Sequence, residues 1–331
     1  MLFTKCVKET ITLPSNIDML DERTIHIALG VDATYMPYAG TAIISVLYNN
    51  RNNSICFHVF RDNFTENDNI MFNKILEVYS NVAVKIYIVN KEILNGLPEG
   101  YYWNHSIYYR AFAPLVLNGI ASRVLYLDAD TLCRKDLLEL WNLDISEHIA
   151  AVVEDGLNRR ERQKWFSHYS IVKSTSTPVY FNSGVLLINV ERYIKENIFE
   201  KFIELLNRYG QSFRYYDQDA LNILLNNKVL YIDYRYNCQL YAIHNSESAV
   251  IIHCCGIDKP WNIDSDLPSF KEWIWYFKLS PWNDIALLKM RPKAPYMYRL
   301  EAVNYFYSNR YKKCFMSLIR GFCLKYLKLR F

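Results

Sequence analysis

Residues 123–130, RVLYLDAD, carry the decisive pattern: an apolar run, Arg123–Leu127, leads straight into Asp128-Ala129-Asp130. In an extended chain alternate residues share a face, so two carboxylates one residue apart point the same way. Open α/β sheets bind ligands beyond the carboxyl ends of their strands. Carboxylate oxygens there suit a hard divalent cation, Mg²⁺ or Mn²⁺, shared with substrate phosphates. An isolated D-x-D is far more often a solvated loop or a helix cap, and the strand before this one raises the case for the metal.

Outward towards the N-terminus, Thr24–Val31 reads as a buried strand, Tyr38–Tyr48 as a helix, Ile55–Phe60 as a strand, Asn67–Tyr79 as a helix and Ala83–Val89 as a strand. This alternation predicts a parallel sheet with right-handed crossovers. Ile107–Leu117 reads as a helix despite Pro114. Towards the C-terminus follow a strand at Ile149–Val153, a polar connection at Gly156–Pro178 read as cover for a site, and strand character at Tyr180–Val190. Helices are expected at Ile198–Tyr209 and Asp217–Leu225, and late strands at Lys228–Ile232 and Ala249–His253. The expected division is an N-terminal extension (1–23), an α/β domain (24–265) and a helical, basic C-terminal region (266–331).

Composition narrows the classes. Half of the 331 residues are hydrophobic, so a large core is expected and disorder is not. The net charge is +4, but residues 290–331 hold ten Lys/Arg and one acid, +9, which leaves 4 − 9 = −5 for the rest. Within that tail Tyr311, Cys314, Phe315, Leu318, Ile319, Phe322, Tyr326 and Leu327 fall at helical spacing among Lys and Arg. The pattern suits a helix lying on an anionic membrane, with a basic helix packed on its own domain as the plainer alternative. Nucleic acid fits poorly. The eight cysteines include no CxxC pair, so a structural zinc is not expected and reduced thiols in a cytosol are. Neither a signal peptide nor a membrane-spanning run is expected.

Three further clusters carry chemistry. His253 ends an apolar strand and offers a third ligand, or simply a hydrogen bond; Lys259 follows and suits a diphosphate, or is an ordinary solvated surface lysine. Asp217-Gln218-Asp219 opens a helix, where acids are also ordinary caps. Asn182-Ser183-Gly184 lies between apolar stretches and allows close ligand approach, or a bulge.

Taken in order, GVDATY (30–35), YYR (108–110), RVLYLDAD (123–130), YFNSGVLLINV (180–190), YDQDALN (216–222) and HCCGIDKPW (253–261) resemble the family 8 retaining glycosyltransferases. SPWND (280–284) and the basic end look most like the enterobacterial lipopolysaccharide core glucosyl- and galactosyltransferases. The resemblance implies a GT-A nucleotide-sugar fold and metal-dependent transfer of glucose or galactose from a UDP-sugar to lipopolysaccharide core. The bond would be α, with 1,2 as the first candidate linkage and glucose preferred. A protein or other glycan acceptor, or a catalytically dead binding module, are the alternatives. It also implies a cytoplasmic enzyme held peripherally at the inner membrane.

By the same resemblance Asp32, Thr34 and Tyr35 would line the nucleoside pocket. Asp128, Asp130 and His253 would hold the ion, with Ala129 beside the donor. Arg110 would face the donor sugar or its diphosphate. Asn182, Ser183 and Asp217 would contact the sugar, and Gly256 and Lys259 the diphosphate. Gln218 would lie near the anomeric carbon, with Asp217 and Asp219 as reserve nucleophiles. An amide is a poor nucleophile, so front-face displacement is expected.

Overall fold

The computed structural model describes residues 6–14, 23–100, 104–156, 179–239, 247–256, 258–285, 287 and 292–328. The strands are β1 (Val7–Leu13), β2 (Ile25–Gly30), β3 (Ile55–Arg61), β4 (Val82–Val89), β5 (Arg123–Leu127) and β6 (Thr131–Cys133), then β7 (Ala150–Glu154), β8 (Phe181–Asn189), β9 (Val229–Tyr231), β10 (Cys238–Gln239) and β11 (Ile251–His253). The α-helices are α1 (Met36–Asn49), α2 (Glu66–Val78), α3 (Tyr109–Leu117), α4 (Leu138–Trp141) and α5 (Val190–Lys195), then α6 (Ile198–Tyr209), α7 (Tyr216–Leu224), α8 (Pro268–Leu279), α9 (Pro295–Tyr307) and α10 (Tyr311–Phe322).

Eight strands form the main sheet in the order β1-β4-β3-β2-β5-β8-β7-β9. As the alternation predicts, β2, β3 and β4 are parallel, and β5 joins β2 in parallel from the other side. The order therefore reverses between β2 and β5. Their carboxyl ends, at Gly30 and Leu127, open the crevice where such sheets bind ligands. Alternate side chains of both strands enter separate cores. Ile27, Leu29, Leu125 and Leu127 pack towards α1 and α8, while Ala28 and Tyr126 pack towards α3 and α6.

Two features depart from the sequence reading. β8 runs antiparallel to both β5 and β7, so the sheet is mixed. Apolar periodicity reports burial and is silent on strand direction. The N-terminal stretch, in which no strand was expected, contributes β1 antiparallel to β4 at the sheet edge. Its Lys8 and Glu9 are what an edge strand tolerates and what hides it from a hydrophobicity reading. Gly156–Pro178, expected to cover the site, lies outside the described residues from 157 onward.

A small second sheet, β10-β11-β6, completes the site. β6 starts directly after Asp130, and β11 pairs antiparallel with it so that His253 stands opposite Thr131. The Cys254 backbone N–H also donates to the Asp130 carbonyl at 2.9 Å.

Candidate active site

β5 ends at Leu127, and the turn that follows presents Asp128 and Asp130 to the crevice. The Asp128 N–H donates to the Gly184 carbonyl at 2.8 Å, which ties this turn to β8. Opposite β7 the β8 ladder is interrupted: Val152 pairs with Leu186, yet Val153 pairs with Asn182. The bulge swings Ser183 and Gly184 towards the carboxylates.

His253 Nε2 stands 3.2 Å from Asp130 Oδ1 and 3.8 Å from Asp128 Oδ2. One ligand atom from each residue lies within 4.8 Å of the others. Oxygen and imidazole ligands about 2.0–2.3 Å from an ion lie roughly 3 Å from one another, so this donor set fits one divalent cation. Burial would raise the Asp130 carboxyl, but Lys259 and His253 outweigh it and hold the group well below the usual carboxylate range. Lys259 Nζ pairs with Asp130 and also donates to the Cys254 carbonyl at 2.8 Å.

Arg110 is buried, and its guanidinium spans the site. Nη2 meets Asp128 Oδ1 at 2.9 Å, Nε meets Asp217 Oδ2 at 3.0 Å, and Nη1 donates to the Ser183 hydroxyl at 2.6 Å. Asp217 lies in the first turn of α7. Burial pushes its carboxyl up; Arg110 pulls it down and Asp128 pushes it up again, leaving it at about 6.

Gln218 is fixed from two sides. Its Oε1 accepts the Ser183 N–H at 2.9 Å, and its Nε2 donates to the Tyr180 hydroxyl at 3.1 Å. Asp219 is buried and does not reach the cavity. Its Oδ1 accepts from Tyr180, and its Oδ2 accepts the backbone N–H groups of Arg214 and Tyr215 at 2.8 and 3.0 Å. That carboxylate anchors the turn leading into α7.

One cavity of about 740 Å³ gathers nearly all the residues singled out from sequence. Asp32, Tyr35, Arg110 and the whole Asp128-Ala129-Asp130 turn line it, as do Asn182 and Ser183, Asp217 and Gln218, and His253, Gly256 and Lys259. Thr34 is exposed and, like Asp219, is absent from the lining. Tyr35 is 37% exposed, with one edge against Trp261. Gly256 takes φ +96°, a conformation that favours glycine.

Among the residues that sequence reasoning missed, three bind named site groups. Asn104 donates to Asp32, Asp155 accepts from Asn182, and Asn237 contacts His253 Nδ1 at 3.0 Å. Asn104 caps a short 3-10 helix, Asn237 ends another and Asp155 follows β7, so none carries a periodic signal and only the fold reveals them.

Residues 26–265 match the profile of Glycosyl transferase family 8. The chain belongs to this family. It is a family 8, and therefore retaining, glycosyltransferase. A lipopolysaccharide 1,3-galactosyltransferase of Salmonella typhimurium is 32% identical over 305 residues, spanning 88% of each chain. The lipopolysaccharide glucosyltransferase WaaO of Escherichia coli K12 is 31% identical over 316 residues, spanning 91% of each. Among solved structures, the galactosyltransferase LgtC in complex with donor and acceptor sugar analogs aligns with a TM-score of 0.68 at 26% identity, covering 78% of this chain and 99% of LgtC. The fold of this family 8 enzyme is GT-A.

Proposed function

We propose that this enzyme transfers a hexose, glucose in preference to galactose, from its UDP conjugate to a lipopolysaccharide core oligosaccharide with retention, forming an α-linkage, with 1,2 as the first candidate. The observation that carries the reading is the convergence of Asp128, Asp130, His253 and Gln218 on one cavity at the reversal of strand order. The lipopolysaccharide hexosyltransferases similar to the chain along nine-tenths of its length support the acceptor class.

Asp32 and Tyr35 sit where a nucleoside would enter, with the exposed Tyr35 ring able to stack on a base. Asp128, Asp130 and His253 would hold Mg²⁺ or Mn²⁺, and that ion, when bound, would offset charge on the departing diphosphate. Lys259 adds a second cation on that side, and an incoming phosphate would compete with Asp130 for it. Arg110 keeps Asp128 and Asp217 in place. The bond from the anomeric carbon to the phosphate oxygen breaks, and the acceptor oxygen bonds the same face of that carbon. The departing phosphate oxygen takes the acceptor's proton. Gln218 has its carbonyl oxygen occupied by the Ser183 N–H, and Asp219 has both oxygens engaged, so neither is set up as a nucleophile. That favours the front-face course. Asp217 is held through Oδ2 against Arg110, and a covalent glycosyl adduct trapped on it would overturn front-face displacement.

The C-terminal helix supports peripheral contact with the anionic inner membrane from the cytoplasmic side. Tyr311, Phe315 and Phe322 are exposed on α10 among Lys312, Lys313 and Arg320. No helix among the described residues is long and apolar enough to cross a membrane.

The test is UDP release from UDP-glucose and UDP-galactose with Mn²⁺ and truncated core oligosaccharides. Turnover is expected to need both metal and acceptor, and Asp130→Ala should lower kcat by about 100-fold or more. Near-normal turnover by that variant would remove the ion from the mechanism; no turnover with either donor would remove the hexose assignment.

A further inference from the structure

Two buried amides connect the candidate cation site to the sugar end of the cavity, and a backbone group settles which way both face. The Gly184 N–H donates to Asn182 Oδ1 at 3.0 Å. A backbone N–H can only donate, so the atom it meets must be the amide oxygen. The same oxygen lies 2.9 Å from Asn237, whose contacting atom must then be the donor Nδ2. Asn237 is left with Oδ1 towards His253 Nδ1, 3.0 Å away. A carbonyl oxygen only accepts, so Nδ1 carries the proton. Nε2, which faces Asp128 and Asp130, is then the ring nitrogen left to bind an ion held between them.

At the far end Asn182 Nδ2 donates to Asp155 Oδ2 at 3.2 Å, which agrees with the same orientation. Reversing either amide sets oxygen against oxygen or N–H against N–H. Asn237 is fully buried and lies off the cavity lining, so water cannot absorb a mismatch there.

We infer that Asn237 is a positioning residue that locks His253 in its Nδ1–H tautomer, on an orientation dictated by the Gly184 N–H through Asn182, and so aims Nε2 at the divalent cation. This rests on the reading of Asp128, Asp130 and His253 as the cation site. Metal-ligating imidazoles characteristically have the other ring nitrogen held in this way. The chain goes further, because Asn182 and Asp155 also line the sugar end of the cavity. One hydrogen-bond line therefore registers the metal centre against the sugar.

Two readouts test it, and neither is turnover. The first is the imidazole ¹⁵N spectrum of the metal-free full-length protein, with His253 assigned by its loss in His253→Gln. A proton on Nδ1 is expected, whether or not Nε2 also carries one beside the carboxylates, and a neutral ring protonated at Nε2 alone overturns the inference. The second is Mn²⁺ affinity in the presence of UDP, read from the free-ion paramagnetic resonance signal, with thermal melts confirming folding. Asn237→Leu removes the acceptor and should weaken Mn²⁺ about tenfold or more. Wild-type affinity in Asn237→Leu overturns the lock. A wild-type His253 in the Nδ1–H form with no Mn²⁺ uptake instead overturns the cation assignment and leaves the hydrogen-bond line standing.

Discussion

Asp130 and Asp217 are both buried carboxylates, and the pull of their neighbours outweighs burial at the first and not at the second. At Asp130, Lys259 and His253 outweigh burial and hold the carboxyl down; at Asp217 burial outweighs Arg110, whose guanidinium also meets Asp128 and Ser183, and the carboxyl stays at about 6. A side chain's charge state here is set by who else claims its partner. Gly184 shows the steric counterpart. A Cβ there would stand 2.2 Å from His253 Cε1 and 2.7 Å from Asp128 Oδ2. Gly184→Ala should therefore displace the imidazole and cut kcat/KM by about tenfold or more, with little change in Tm. Steady-state kinetics alongside a melting curve checks this, and unaltered kinetics would mean the site yields without cost.

At the scale of elements, β8 and β11 carry the site. β8 is fully inside the sheet, and its interruption against β7 aims Ser183 and Gly184 at the catalytic side. β11 is only Ile251–His253, yet its pairing with β6 sets the imidazole beside the carboxylates. α10 is different, since most of its residues are exposed and only Ser317 and Gly321 are buried. Gly321 packs close to Tyr298 of α9, so the helix is seated on its neighbour by a narrow edge. Deleting residues 310–331 should abolish binding to vesicles containing anionic lipid and leave UDP-hexose hydrolysis within about twofold. Co-sedimentation with vesicles measures the first, and retained binding would refute the membrane role of this helix.

Across the whole molecule, the two cores are held apart by one sheet, and a polar line crosses it away from the site. His26 Nδ1 meets His58 Nε2 at 2.9 Å, and His58 Nδ1 meets the Tyr87 hydroxyl at 3.0 Å. Burial, then Lys85, lowers His26 from 6.5 to about 4. The unfolded chain therefore takes up a proton that the folded one refuses. Stability from this source is full above about pH 6.5 and is lost as the pH falls towards 4, by on the order of 3 kcal/mol. His26→Gln, which cannot titrate, should show a smaller fall in Tm between those pH values; an identical fall would place the acid sensitivity elsewhere.

The sequence by itself determined the α/β class, the strand that delivers Asp128 and Asp130, and the family, because local periodicity and short ordered motifs carry that information without reference to distant residues. It also named half of the cavity's lining, since functional side chains cluster where strands end. Tertiary structure alone decided the antiparallel placement of β8, the edge strand β1, the engagement of Asp219 with a turn, and the line from Asn237 through Asn182 to Asp155. Those depend on which groups meet across the sheet, and hydrogen bonds between residues remote in the chain leave no mark on the local pattern of hydrophobicity.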